Sequence, residues 1–253
     1  MIATSTSGVA RFGQSLVGKK VILAVTGVIL IGYLVTHIIG NMQVFKGAKV
    51  LDGYAEYLHH QAPALVWLER VIVFPSLFLH AIVAAQVSLQ NAKARPQKYA
   101  KVTYYSASFA SRMMIWAGLA LLLFFVYHIL HFTTGQAHAD FQDVKPYHNM
   151  VSAFSNPLVT LLYVVSMVFL GMHLSHGLWS LVHSLGLTHN RRLKPFATLT
   201  AVALSIGFII IPIAVMIGAV PPEESTEAPA DAPKEGAKDA PKEETKEAPK
   251  EGA

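Results

Sequence analysis

Histidine is the residue type in this sequence best suited to chemistry. The chain of 253 residues contains 12 histidines and no cysteine, so it cannot itself supply a disulfide, an iron–sulfur ligand or a thiolate metal site. Four of the histidines, His37, His80, His128 and His173, lie deep within stretches free of Asp, Glu, Lys and Arg. Ionisable residues in such segments are costly and point to function. A metal held there would be bound by nitrogen or oxygen.

The segments that carry these histidines predict transmembrane helices. A helix that crosses a bilayer needs about 20 mostly apolar residues, and five such stretches occur, near residues 20–41, 64–90, 112–134, 157–184 and 196–220. The composition, 53% apolar and 14% charged, also differs from the roughly 45–50% and roughly 25% of soluble domains. We therefore expect an all-α membrane protein with five transmembrane helices.

The four histidines are predicted to lie at two depths. His37 and His128 each lie about 16 residues into a helix that runs outward, about 24 Å from its cytoplasmic end. His80 and His173 lie as far into helices that run inward, and so share an inner level. A low-spin haem iron takes one imidazole on each side of the ring. The pattern predicts a bundle of four of the helices that binds two haem b groups, the outer one between His37 and His128 and the inner one between His80 and a histidine of the fourth helix.

Two glycines support this assignment. Gly27 precedes His37 and Gly118 precedes His128 by the same ten residues. About three helical turns would place each glycine near the face of its histidine, where a flat macrocycle could approach the backbone. The matched offset favours His128 over His131 as the ligand.

Other histidines leave an alternative open on the fourth helix. His176 follows His173 by three residues and His183 follows by seven more, so neighbouring side chains share nearly one face. Spacing alone does not choose between His173 and His176. A lone membrane histidine can also serve packing or hydrogen bonding rather than ligation.

Loop charges predict the orientation of the chain. Short loops rich in Lys and Arg stay cytoplasmic, and eleven such residues fall on one side: Arg11, Lys19, Lys20, Lys93, Arg95, Lys98, Lys101, Arg112, Arg191, Arg192 and Lys194. The opposite loops mix Lys46, Lys49, Arg70 and Lys145 with Asp52, Glu56, Glu69, Asp140 and Asp143. We expect the amino terminus inside and the carboxyl-terminal tail outside.

The chain is predicted to have three parts. Residues 1–19 form a cytoplasmic segment, residues 20–220 the transmembrane domain, and residues 221–253 a tail rich in Pro, Lys, Glu and Ala. The tail has no aromatic residue and repeats Ala-Pro-Lys-Glu. It cannot bury enough apolar surface to offset the entropy of ordering, so we expect it to be disordered.

The sequence resembles a known family at several motifs. These are Thr26-Gly27 with His37, His80 followed by Asn91 and Arg95-Pro96, Arg112 leading to Gly118 and Tyr127-His128, and the stretch from His173 through His176 to Trp179. Over residues 8–220 the pattern is similar to the single-chain cytochrome b anchor of bacterial di-haem succinate:quinone oxidoreductases, the succinate dehydrogenases and fumarate reductases.

The resemblance implies a function and partners. His80 and His173 would ligate the inner haem and His37 and His128 the outer one, which also selects His173 over His176. The anchor of such a complex docks a flavoprotein and an iron–sulfur protein on the cytoplasmic side of the bacterial inner membrane. It passes electrons between them and a quinone, menaquinone in this case. A higher oligomer of the complex is compatible with this assignment, and no nucleic acid is involved.

Further residues are candidates for cofactor contacts. Arg112, at the membrane boundary beneath Gly118, could pair with a propionate of the inner haem, and His176 is a second candidate haem contact. A quinone site needs an apolar slot with hydrogen-bonding groups, which the outer-loop residues Tyr54, Glu56 and His60 could supply. An interfacial loop with aromatic anchors is the alternative there.

The sequence departs from some di-haem relatives at one point. It has no carboxylate in the middle of any predicted helix, and position 171, close to the inner ligand, is glycine. A proton path through the membrane built on a buried acid is therefore not expected. Proton exchange at an outer quinone would be with the outside medium.

Two other functions compete with the electron-transferring anchor. A haem b cytochrome of another dehydrogenase, of the hydrogenase or formate dehydrogenase type, shares the paired histidines but not the stretch ending at Trp179. A non-redox metal transporter would bring histidines together at one depth, usually with carboxylates or broken helices.

Overall fold

The computed structural model describes residues 8–94, 109–184, 186 and 193–222, and every regular element in these ranges is helical. The α-helices are α1 (Gly8–Gln14), α2 (Leu16–Asn41), α3 (Ala48–Glu56), α4 (Pro63–Lys93), α5 (Phe109–Phe132), α6 (Pro146–Phe154), α7 (Pro157–Ser184) and α8 (Leu193–Met216). A 3₁₀ turn, Met42–Lys46, continues α2, and a π-helical turn, Tyr57–Gln61, follows α3.

Five of these helices, α2, α4, α5, α7 and α8, are long and apolar enough to cross a membrane. The shortest have 24 residues, about 36 Å at about 1.5 Å per residue, which exceeds a hydrocarbon core of about 30 Å. Large apolar side chains such as Val28, Leu79 and Leu158 are exposed along them, as a lipid-facing surface requires. The prediction of an all-α fold with five transmembrane helices is confirmed.

The helix ends follow from local chemistry. Ser15 caps α2, because its hydroxyl accepts a hydrogen bond from the Gly18 amide at 3.0 Å, so this helix begins earlier than predicted. Pro63 occupies the first turn of α4, where its missing amide proton costs nothing. As a result Glu69 and Arg70, which the sequence analysis counted with the outer loop, lie in the second turn of α4.

Helix α7 lies at the centre of the bundle and packs on α8, α5 and α2. Its tightest junction is with α8, where the Ser205 hydroxyl donates to the Met167 carbonyl at 2.6 Å. A β-carbon added at Gly171 would lie only 2.9 Å from the Ser205 Oγ. Helix α8 therefore supports α7 through small residues and contributes no histidine of its own.

One end of the bundle is closed by α3 and α6, which together we call the cap. The Asp52 carboxylate accepts a hydrogen bond from the Tyr147 amide at 2.9 Å, and the buried Tyr147 hydroxyl donates to the Pro221 carbonyl. Lys145 pairs with Glu56 at 3.1 Å across the two helices. These contacts fix the cap to the end of α8.

Some predictions fall outside the described residues. This is so for Arg95, Lys98, Lys101, Arg191 and Arg192 of the basic rim, and for all of the predicted tail except Pro221 and Pro222. The described helices belong to a compact unit that ends at Glu223.

Candidate functional site: two levels of paired histidines

The outer pair consists of His37 on α2 and His128 on α5. Their ring centroids are 5.9 Å apart and the rings are nearly perpendicular, at 85°. A metal–imidazole bond is about 2.0–2.1 Å, so two imidazoles on opposite sides of a metal atom have centroids about 6 Å apart. The structure thus brings these two rings to a separation that suits a shared metal.

The inner pair consists of His80 on α4 and His173 on α7. Their centroids are 6.4 Å apart, with an interplanar angle of 62°. It is His173, rather than His176, whose ring faces His80. His183 lies further along α7, in edge contact with Trp179 at a centroid distance of 4.4 Å.

The two pairs lie at different depths, as two glycines make plain. The position of a β-carbon added to Gly27 would be 3.8 Å from Cε1 of His80, and one added to Gly118 would be 3.5 Å from Cε1 of His173. Gly27 is ten residues from His37 on α2, and Gly118 is ten from His128 on α5. Ten residues span about 15 Å of helix, so both helices give the same separation between levels.

This geometry corrects one expectation from the sequence. We expected each glycine to lie near the histidine of its own helix, but both lie against the inner pair. The offset of ten residues measures the spacing between levels. The lack of a side chain at Gly27 and Gly118 lets the inner imidazoles approach the backbone of α2 and α5.

A threonine fixes the proton on one inner imidazole. The Thr26 hydroxyl lies 3.0 Å from Nδ1 of His80 and donates its own proton to the Ile22 carbonyl at 2.8 Å. Because a hydroxyl has one proton, it must accept from His80 Nδ1–H. The Nε2 of His80 is then unprotonated and free to bind a metal. For His173, Nδ1 is buried and has no hydrogen-bond partner among the described residues.

Tyrosines contact the outer imidazoles. The Tyr33 hydroxyl lies 3.2 Å from Nδ1 of His37, one turn away on α2. The Tyr163 hydroxyl lies 3.3 Å from Nδ1 of His128 and 3.0 Å from Nδ1 of His131. Sequence reasoning assigned neither tyrosine a role. The spacing of four residues between Tyr33 and His37 could have identified the first, but Tyr163 is on a different helix from both its partners.

The donor chemistry fits two bis-histidine haem b groups. Each level offers two imidazoles from different helices. All four histidines are half-buried. In the part of the chain that the structure describes, no three His, Asp or Glu side chains converge as a metal site. This differs from the cluster at a single depth expected of a metal transporter.

The remaining candidates for inner haem contacts lie towards the uncapped end. Arg112 is exposed near the start of α5, with its guanidinium 5.7 Å from the centre of the Phe109 ring. It precedes Gly118 by six residues, about 9 Å along the helix. His176 is partly buried one turn beyond His173.

The candidate quinone residues Tyr54, Glu56 and His60 all lie exposed on or beside the cap. The Tyr54 ring packs over Gly40, and the Glu56 carboxylate is held by Lys145. No hydrogen bond joins these three side chains in the described part of the chain.

Sequence reasoning also missed a second histidine contact next to the outer pair. His131 is 2% exposed, and its ring lies 4.7 Å from that of His138 in the loop after α5. Burial lowers the pKa of His138, because a charged imidazole there would lose its hydration. Nearer the surface, Nε2 of His148 lies 2.8 Å from the Asp140 carboxylate.

Comparison with known proteins identifies a relative of this chain. It is 27% identical to the succinate dehydrogenase cytochrome b558 subunit of Bacillus subtilis (strain 168) over 184 residues, which cover 71% of this chain and 87% of the relative. No family model and no solved structure matches. The resemblance inferred from the motifs is confirmed: the chain is similar to a cytochrome b subunit of succinate dehydrogenase.

Proposed function

We propose that this chain is the membrane anchor and electron-transfer subunit of a succinate:menaquinone oxidoreductase. It carries electrons between an iron–sulfur subunit and quinone through two bis-histidine haem b groups. The observation that carries the proposal is the pairing of histidine rings from four helices at two levels, with centroids 5.9 and 6.4 Å apart. The similarity to a succinate dehydrogenase subunit supports the choice of complex.

In this function the four imidazoles would hold the two haem irons. His37 and His128 hold the outer haem, and His80 and His173 the inner one. Thr26 holds the proton of His80 on Nδ1, and in this function the Tyr33 hydroxyl accepts the Nδ1 proton of His37, so that Nε2 of each ring is left to the iron. Arg112 neutralises a propionate of the inner haem, and His176 lines the same end.

Two haems at two depths would divide the path of an electron across the apolar layer into shorter steps. Haem b, when bound between each pair, supplies a one-electron redox centre. The separation of about 15 Å between levels follows from the ten residues between Gly27 and His37. Electrons tunnel over limited gaps, so two centres at two depths are more effective than one.

The ends of the bundle have different roles in this proposal. The flavoprotein and iron–sulfur subunits dock at the uncapped, cytoplasmic end, where Arg112 and Lys194 belong to the basic rim. Quinone binds at the cap end, with Tyr54, Glu56 and His60 as its candidate contacts. The protein lies in the bacterial inner membrane with the amino terminus inside and the tail outside.

The first experiment measures haem b per polypeptide in the full chain purified with its co-expressed partners. We expect two haems by pyridine haemochrome, at least one of them reduced by succinate and both by dithionite. A variant with His183→Ala serves as control, because this histidine makes an edge contact with Trp179 and faces no other histidine ring in the described helices. One haem would contradict the assignment of one pair, and no haem would contradict the function.

A further inference from the structure

The hydroxyl of Tyr163 lies between two histidine nitrogens. Tyr163 is in the second turn of α7 and only 6% exposed. Its oxygen contacts Nδ1 of His128 and Nδ1 of His131, and no other hydrogen-bond partner among the described residues. A hydroxyl has one proton to donate. When that proton goes to one imidazole, the other imidazole must donate its own Nδ1 proton to the tyrosine oxygen.

The direction of the hydrogen bonds from His128 through Tyr163 to His131 decides whether His128 can bind a metal. If His128 Nδ1–H donates to Tyr163, its Nε2 is unprotonated and available to the gap shared with His37. The Tyr163 hydroxyl then donates to Nδ1 of His131. The reverse direction would place the proton of His128 on Nε2 and prevent ligation.

Ring packing keeps the Tyr163 hydroxyl in place. Its ring makes edge contacts with Phe124 and Phe154, each at a centroid distance of 5.0 Å, and with Phe132 at 5.8 Å. Such a cage allows little rotation of the tyrosine side chain. The hydroxyl is therefore held at its two nitrogens by contacts that involve neither histidine.

We propose that Tyr163 is a positioning residue for the outer haem: its hydroxyl accepts the Nδ1 proton of His128 and donates to His131, which presents Nε2 of His128 to the iron. This inference rests on the proposed function. His131 then serves as the acceptor that sets the direction of this hydrogen-bond chain, a role distinct from haem ligation.

The test compares Tyr163→Phe with Tyr127→Phe in the full chain purified with its haems. Tyr127 is the matched control, because its ring lies 6.1 Å from that of Tyr163 and 5.1 Å from that of His131. Its hydroxyl bonds to no described residue. Each variant is examined by redox titration and by the low-spin ferric EPR signals of the two haems.

In Tyr163→Phe we expect an upward shift of the midpoint potential of one haem and a shifted EPR signal for the same haem. A ligand that loses the acceptor for its Nδ1 proton is a weaker donor to ferric iron. The other haem is unchanged, and Tyr127→Phe matches the parent. Loss of one haem in Tyr163→Phe alone also supports the proposal.

Three results would overturn it. If the parent has two haems, unchanged potentials and EPR signals in Tyr163→Phe would exclude a role of the Tyr163 hydroxyl in positioning His128. Equal effects in Tyr127→Phe would assign the effect to packing. A parent chain without haem would instead contradict the proposed function itself, which the haem content reveals before any variant is made.

Discussion

The outer and inner histidine pairs are held by different means. Both outer imidazoles have a tyrosine hydroxyl at Nδ1, one at 3.2 Å and one at 3.3 Å, and aromatic rings such as Phe124 and Phe208 surround them. Among the described residues, one side-chain hydroxyl, that of Thr26, contacts the inner pair, which lies against two glycines. The outer rings are oriented by side chains, whereas the inner rings are oriented mainly by close approach to helix backbones.

This difference predicts which substitutions each level tolerates. At the outer level a hydroxyl can be removed without changing the volume much, so the expected effects are electronic. At the inner level the sensitive feature is empty space beside a ring, so the expected effects are steric. The same class of mutation should therefore act differently at the two depths.

Removal of a facing histidine has the largest expected effect. We expect His173→Ala and His128→Ala each to lower the haem content from two to one per chain, because an axial ligand is lost. On α7, His176→Ala serves as the control that keeps both haems. On α5, His131→Ala leaves the ligand in place but removes the acceptor of the Tyr163 proton, so we expect a smaller effect on the outer haem than that of His128→Ala. Haemochrome assays measure the outcome, and a reversed result on either helix would reassign the ligand there.

A side chain at the inner glycine should be the next most damaging change. Gly118→Val adds atoms beyond a β-carbon that would already lie 3.5 Å from His173. Overpacking of this kind costs about 1–3 kcal/mol, so we expect roughly tenfold weaker retention of the inner haem. Retention is measured during detergent washing or heating.

Two controls define the steric origin of that effect. Gly118→Ala places its β-carbon at ordinary contact distance and should be nearly neutral. At Gly32, on α2, an added β-carbon would meet nothing within 4 Å, so we expect Gly32→Val to retain both haems. If Gly32→Val lost as much haem as Gly118→Val, the space beside the inner histidine pair would not be the cause of the loss.

Removal of the Thr26 hydroxyl tests its hydrogen bond with His80. Thr26→Val takes away the hydroxyl that accepts the Nδ1 proton of His80, at a cost of about 1–3 kcal/mol. We expect both haems to remain, with the potential of one raised. It should be the haem that Tyr163→Phe leaves unchanged, and a shift of the same haem in both variants would contradict the separation into two levels.

Deletion of the tail has the smallest expected effect on either level. We expect a chain that ends at Glu223 to keep its haem content and turnover, since the predicted site residues all precede this position. Loss of either property, measured against the full chain in the same membranes, would assign the tail a role beyond that of a solvated extension.

The sequence was sufficient for those features that depend on one helix at a time. Apolar length predicted the five spans, and position along each span predicted which histidines share a level. His37 and His128, and likewise His80 and His173, are indeed neighbours in the structure. Helix pitch converts residue number into depth almost directly.

Contacts between helices were less predictable. Rotation of each helix about its axis decides which side chains meet, and the position of a residue along the chain does not specify it. The glycines were therefore assigned to the wrong histidines, and Tyr163 was missed because its partners are 35 and 32 residues away. On α7, spacing left His173 and His176 equivalent, and only the contact between the His173 and His80 rings separates them.

The junction between Gly171 and Ser205 has a consequence for sequence variation. Because a β-carbon at position 171 would lie 2.9 Å from the Ser205 hydroxyl oxygen, neither position can accept a larger residue while the other stays as it is. A relative that carries a carboxylate at the equivalent of 171 would need a smaller residue opposite or a shifted last helix. The two positions, 34 residues apart in the chain, should therefore change together.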